Sequence, residues 1–156
     1  KAFQILSTKT GMTGMIGGQS VDVEYVNRPL SAEQLQFIYE LKTGALIEAS
    51  MMIGAILGGA TREEVAKIER LASLVGKAFQ IQDDILDIEG NEAELGKPLH
   101  SDEENGKVTY VTLHGLMQAK EDVRELSEEA VAILDAFPQQ DTFLHELILS
   151  LVNRKK

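Results

Sequence analysis

Apolar residues recur at three- and four-residue spacing along nearly the whole chain, and alternating valine-rich runs are scarce. That pattern predicts an all-α protein. Residues 1 to about 10 read as the tail of a helix. The stretch Gly11-Met12-Thr13-Gly14-Met15-Ile16-Gly17-Gly18-Gln19 follows, with glycines three apart. A dinucleotide-type glycine loop needs a strand before it, and none is predicted, so small residues that let two helices approach closely are the preferred reading. Residues 20 to 30 are expected to form a connection ending in Pro29. Ser31 with Gln34 then makes a capping box, and Leu30 facing Leu35 a hydrophobic staple. The helix they open should run to about Leu57 and stop at Gly58-Gly59. Thr61 with Glu64, flanked by Ala60 and Val65, repeats the same start signal. That helix should reach about Glu89 and end at Gly90-Asn91, a span of about 40 Å. Residues 91 to 106 read as a polar loop, with Ser101 and Glu104 matching a short capped turn. A further helix is expected over about 108 to 135, before Pro138. Asp141 would cap the last one, whose Leu144, Leu147, Ile148 and Leu151 form an apolar stripe and whose Arg154-Lys155-Lys156 tail suits its C-terminal dipole.

One stretch breaks the amphipathic pattern. In Phe79-Gln80-Ile81-Gln82-Asp83-Asp84-Ile85-Leu86-Asp87, three carboxylates sit inside an otherwise largely apolar run. Helical rotation places Asp83 and Asp87 on one face, with Asp84 beside them and Gln80 one turn earlier. Acids near a helix C-terminus oppose the macrodipole and call for a compensating positive charge. A solvated acidic helix end is the plain reading of such a cluster. The apolar surroundings favour a stripe lining a cavity, where a bound cation offsets the buried charge. Oxygen-only ligands point to a hard ion, and Mg²⁺ is the usual one where phosphates are bound as well.

Charge and composition narrow the field. A net charge of −10 argues against nucleic acid as a partner. The absence of cysteine excludes disulfides and thiolate metal sites. Apolar residues at 44% suffice for a substantial core in one domain or part of one. No run approaches the roughly 20 apolar residues of a membrane span, since Glu48 and the charges after Thr61 interrupt the best candidate. No signal-peptide pattern is visible, so a cytoplasmic protein is the default expectation. The chain opens on Lys1 rather than Met, which suggests a processed or truncated polypeptide.

Other polar residues carry two readings each. Lys42-Thr43-Gly44 lies mid-helix, where glycine costs about 1 kcal/mol relative to alanine. Lys42 and Thr43 could face an anionic ligand that Gly44 lets approach; equally, Lys42 could snorkel and Gly44 pack against a helix. Lys97 and Lys107 occupy glycine-containing loop positions where lysines are commonly just solvated. Helix capping suffices to explain Gln19 and Asp22. His100, His114 and His145 share no ligand spacing, and a surface role is expected for each.

Taken together, the chain resembles the trans-polyprenyl diphosphate synthases, most closely the short-chain farnesyl or geranylgeranyl type. The resemblance rests on Gly-Gly-Gln-x-x-Asp at 17–22, Lys-Thr-Gly-Ala-Leu at 42–46, Phe-Gln-x-x-Asp-Asp-x-x-Asp at 79–87, Gly-Lys at 96–97 and Gly-Lys-Val-Thr-Tyr at 106–110. It implies an isoprenoid-synthase-type helical bundle. Asp83 would then be the direct Mg²⁺ ligand, with Asp84 and Asp87 acting directly or through water. Lys42, Thr43, Gln80, Lys97 and Lys107 match positions that hold the diphosphate of the allylic substrate. The implied reaction condenses an allylic diphosphate with isopentenyl diphosphate, usually in a homodimer. The family's first aspartate-rich motif, and the basic residues that bind isopentenyl diphosphate, lie upstream of anything in this chain. The expectation is therefore the C-terminal half of a synthase, inactive by itself. A non-catalytic subunit of the same fold, or another diphosphate-binding protein, is the alternative.

Overall fold

The computed structural model describes residues 1–90, 107–138 and 142–152. Among the described residues all regular secondary structure is helical, without strands. In chain order the helices are α1 (Ala2–Thr10), α2 (Met15–Glu24), α3 (Ala32–Ile38), a π-helical segment (Tyr39–Gly44), α4 (Ala45–Leu57), α5 (Arg62–Glu89), α6 (Tyr110–His114), α7 (Leu116–Asp135) and α8 (Thr142–Val152). The polar loop over 91–106, the cap at Asp141 and the basic tail lie outside the described residues.

Helix α5 is the spine. Its start is the predicted capping box: Thr61 accepts from the Glu64 amide at 3.3 Å, and the Glu64 carboxylate accepts from the Thr61 amide at 2.7 Å. Those bonds hold the Glu64 carboxyl below the usual carboxylate range. The middle and end of the helix are apolar on most faces, and Leu71, Ala72, Val75, Ala78 and Ile81 are almost wholly buried. Toward its first half, Leu71, Leu74 and Val75 pack against Ala130 and Leu134 of α7 and Ile148 of α8. Further along, Ala78, Ile81 and Ile85 meet Leu35, Ile38 and Tyr39 on one side and Val111, Ala119 and Val123 on the other. Lys9 of α1 bonds to Glu48 of α4 and, at 2.8 Å, to Glu69 of α5. Burial opposes its charge, but the two carboxylates outweigh it and hold the ammonium above its ordinary range.

Small residues set the close approaches: of the glycines at 11–18, only Gly18 meets another helix, while Gly11, Gly14 and Gly17 face the backbone of their own local turn. A Cβ at Gly18 would run into the backbone nitrogen of Lys42. A Cβ at Gly76 would come within 3.0 Å of the Gly44 Cα. The π segment is thus clamped between α2 and α5 at three glycines.

Three expectations need correction. The connection predicted over 20–30 is helical as far as Glu24, because Val21 packs against the apolar core and burial overrides the weak helix preference of a valine-rich segment. The helix expected from Ser31 to Leu57 does begin at the Ser31–Gln34 capping box, yet it changes pitch over Tyr39–Gly44. The helix expected over 108–135 is two helices, since Gly115 adopts φ +83°, a left-handed conformation that glycine takes without steric cost.

Two glycine substitutions separate packing from propensity. Gly18→Val should destabilise the chain by about 3 kcal/mol, the upper end of overpacking costs. Gly54→Ala, in an exposed position of α4 with nothing within 4 Å of the added methyl, should stabilise it by about 0.5–1 kcal/mol. Urea unfolding of both variants measures this, and similar effects of the two would contradict the packing assigned to Gly18.

Candidate functional site

The acidic stretch occupies the last two turns of α5, and its carboxylates are not equivalent. Asp84 and Asp87 are 3% and 2% exposed, whereas Asp83 is half-buried. A buried carboxylate needs donors, and Asp84 has them. The Tyr39 hydroxyl donates to its Oδ2, and so does the backbone amide of Tyr110 at 2.7 Å. The charge opposing the α5 dipole is therefore met in part by donors from two other elements.

Asp83 and Asp84 border a cavity of about 280 Å³ whose wall also includes Asp22, Tyr39, Lys42, Gln80 and Lys107. Leu30, Leu35, Ile38 and Val108 supply its apolar part. Small-molecule pockets run from about 300 to 1,000 Å³, so this one has room for a compact, polar ligand. Carboxylates and lysines around one cavity suit an anion bound together with a cation.

Each remaining polar group is placed by its helix. Lys42, on the π segment, donates to Asp22 Oδ2 on α2 at 2.6 Å. Thr43 donates to Gln80 Oε1 at 3.1 Å, which fixes the amide one turn before Asp83. Gly44 packs against Gly76, as the packing reading expected, while Lys42 lines the cavity and Thr43 is engaged with Gln80. Lys107 enters the wall from the segment leading into α6. Lys97 lies outside the described residues. Asp87 is buried away from the residues that line this cavity.

Among the described residues, no three carboxylate or imidazole side chains converge into a group able to hold a metal ion. Asp83, Asp84 and Gln80 nevertheless offer hard oxygen atoms at one cavity wall. That set fits Mg²⁺, which is commonly held by one or two carboxylates plus waters and phosphates rather than by an all-protein cage.

Two residues of the site escaped the sequence reading as functional groups. Asp22 is no cap; it sits in the last turn of α2 and pairs with Lys42. Its position four residues after Gly18, on the face that meets the π segment, was the available signal. Tyr39 lies three residues before Lys42 and so shares its face, but a tyrosine at helical spacing reads equally well as core. Of the histidines, His114 stacks on Tyr110 with ring centroids 4.3 Å apart, and His145 lies 3.9 Å from Asp135.

The profile of the polyprenyl synthetase family matches residues 1–144. The farnesyl diphosphate synthase of Bacillus subtilis is 39% identical over 142 residues, which cover 91% of this chain and 48% of that enzyme. That of Geobacillus stearothermophilus is 42% identical over 116 residues, 74% of this chain and 39% of the relative. Among solved structures, a geranyltransferase from Helicobacter pylori complexed with magnesium and isoprenyl diphosphate superposes with a TM-score of 0.79 at 37% identity, over 97% of this chain and 50% of that one. A geranylgeranyl pyrophosphate synthetase from Pyrococcus horikoshii does so with a TM-score of 0.87 at 25% identity, covering 98% and 58%. The chain spans about half or less of the curated relatives it matches.

Tyr110, whose amide bonds to Asp84, gives the neighbourhood of the site an optical signature. Burial, and then the hydrogen bond its hydroxyl makes to Asp122 at 2.6 Å, push its phenol up to about 12. The folded value lies above the ordinary one, so the neutral phenol is favoured by folding. That stability is complete below the ordinary phenol range near pH 10 and is lost as pH rises toward 12. Spectrophotometric titration should show a late step near pH 12 that Tyr110→Phe removes; an unchanged titration curve would contradict the assignment.

Proposed function

The chain belongs to the polyprenyl synthetase family, and we propose that it forms the diphosphate-and-metal wall of a short-chain trans-prenyltransferase. The supporting observation is the meeting of Asp83, Gln80, Lys42 and Lys107 around one cavity, in a chain 37% identical to a geranyltransferase solved with magnesium and isoprenyl diphosphate. In this reading the substrates are an allylic diphosphate and isopentenyl diphosphate, and the product is a short-chain polyprenyl diphosphate.

Asp83 would hold Mg²⁺ directly, with Asp84 and Asp87 acting directly or through water. Mg²⁺ held there would supply positive charge that stabilises the leaving diphosphate. Lys42 keeps one hydrogen on Asp22 and has two more ammonium hydrogens for phosphate oxygens. Lys107, with Lys97, neutralises further diphosphate charge as the allylic C–O bond ionises. Thr43 orients Gln80 beside the diphosphate. The double bond of isopentenyl diphosphate then attacks the allylic cation, and a proton is lost. A cavity of about 280 Å³ accommodates a diphosphate head group and not a long prenyl tail, so the tail extends beyond this wall. The remaining metal positions and the isopentenyl diphosphate site belong to the rest of a longer synthase.

Two outcomes test this. With Mg²⁺ and a non-hydrolysable allylic diphosphate, Asp83→Ala should weaken binding by more than about tenfold while changing stability by less than about 1 kcal/mol, because the side chain is half-buried. Calorimetric titration and urea unfolding measure the pair, and equal losses in both would count against a site. The 156-residue chain alone should show no prenyl transfer when assayed with Mg²⁺ and both diphosphates. Robust turnover would refute the half-site reading.

A further inference from the structure

The Asp84 carboxylate does more than add negative charge to the cavity wall. Its Oδ2 accepts from the Tyr39 hydroxyl, on the π segment, and from the Tyr110 amide at 2.7 Å. The same amide lies 3.3 Å from the Tyr39 hydroxyl oxygen, so the three groups close on one another. The cluster is buried: Tyr39 is 7% exposed and Asp84 3%. Tyr110 is the first residue of α6, and Thr109 before it is also buried and caps that helix by accepting from the Thr112 amide at 3.2 Å. Lys107, Val108 and Thr109 lead directly into this anchored amide, and all three line the cavity.

We propose that Tyr39 and Asp84 form a buried pin that positions segment 107–109, and with it the Lys107 ammonium, against the cavity. The proposal rests on the reading of that cavity as a diphosphate site. Asp84 belongs to α5 and Tyr39 to the π segment, each fixed by core packing on its own side. Of the described residues just before α6, Lys107, Val108 and Thr109 stand outside the apolar core cluster that holds Val111. The hydrogen bonds at the Tyr110 amide tie the end of this segment to the cavity wall. Tyr39 is a positioning residue in this arrangement: it orients the Asp84 carboxylate, and the carboxylate holds the amide. The same role explains why a carboxylate beside Asp83 is almost fully buried.

The test is Tyr39→Phe, which removes one hydroxyl and keeps the ring in the core. Hydrogen exchange of the Tyr110 amide, followed by NMR, should accelerate roughly tenfold, while the Ala119 amide in the core of α7 holds its rate. The affinity for Mg²⁺ with inorganic pyrophosphate should fall roughly three- to tenfold. In a Lys107→Ala background the same substitution should change that affinity by less than about twofold, since the group being positioned is already gone. Unchanged Tyr110 exchange, or affinity losses that simply add, would overturn the pin. If the unmodified chain fails to bind pyrophosphate with Mg²⁺, the diphosphate reading fails by itself, and the exchange rates then decide the pin alone.

Discussion

A long apolar helix that ends in carboxylates must find donors for them, and this requirement organises the molecule. Helix α5 is buried along most of its length, so Asp84 cannot turn to bulk water without exposing Ile81 and Ile85. Its charge is met instead by a hydroxyl from one side and a backbone amide from the other. Those two donors come from elements far apart in sequence, at Tyr39 and Tyr110. Satisfying one carboxylate thus brings the π segment and the start of α6 to the same end of α5. The cavity is the space left between them.

The same contacts serve packing and chemistry. Gly18, Gly44 and Gly76 let α2, the π segment and α5 approach more closely than side chains would allow. That proximity puts Asp22 within 2.6 Å of Lys42 and Thr43 within 3.1 Å of Gln80. The π-helical stretch itself spans the residues in question, a location where π-helical turns are often found at functional sites. An acidic protein with a lysine already paired to an aspartate is an unpromising host for a free anion. It is a better host for an anion that brings a divalent cation to the α5 carboxylates.

Local signals were readable in advance where the physics is local. The capping boxes at Ser31–Gln34 and Thr61–Glu64 involve residues three apart, and both helices start as expected. The end of α5 near Glu89 and the acidic face of its last turns were equally open to reading, since both follow from helical geometry. What escaped depends on distant partners. Asp22 and Lys42 meet across two helices, so only the spacing of Asp22 from Gly18 hinted at an ion pair rather than a cap. Gly115 could sit inside a helix or end one, and only the path of α7 over α5 decides between them. The division of labour among the acids was also hidden. Spacing put Asp83 and Asp87 on one face, but the donors that single out Asp84 lie 45 and 26 residues away.

The central claim is that this wall binds diphosphate through a cation and not by lysines alone. Titrating the chain with inorganic pyrophosphate, with Mg²⁺ and then in excess chelator, tests it most directly. The account predicts saturable binding with Mg²⁺ that vanishes when the metal is removed, as expected for a chain of net charge −10. Equal affinity in the presence and absence of Mg²⁺ would contradict it.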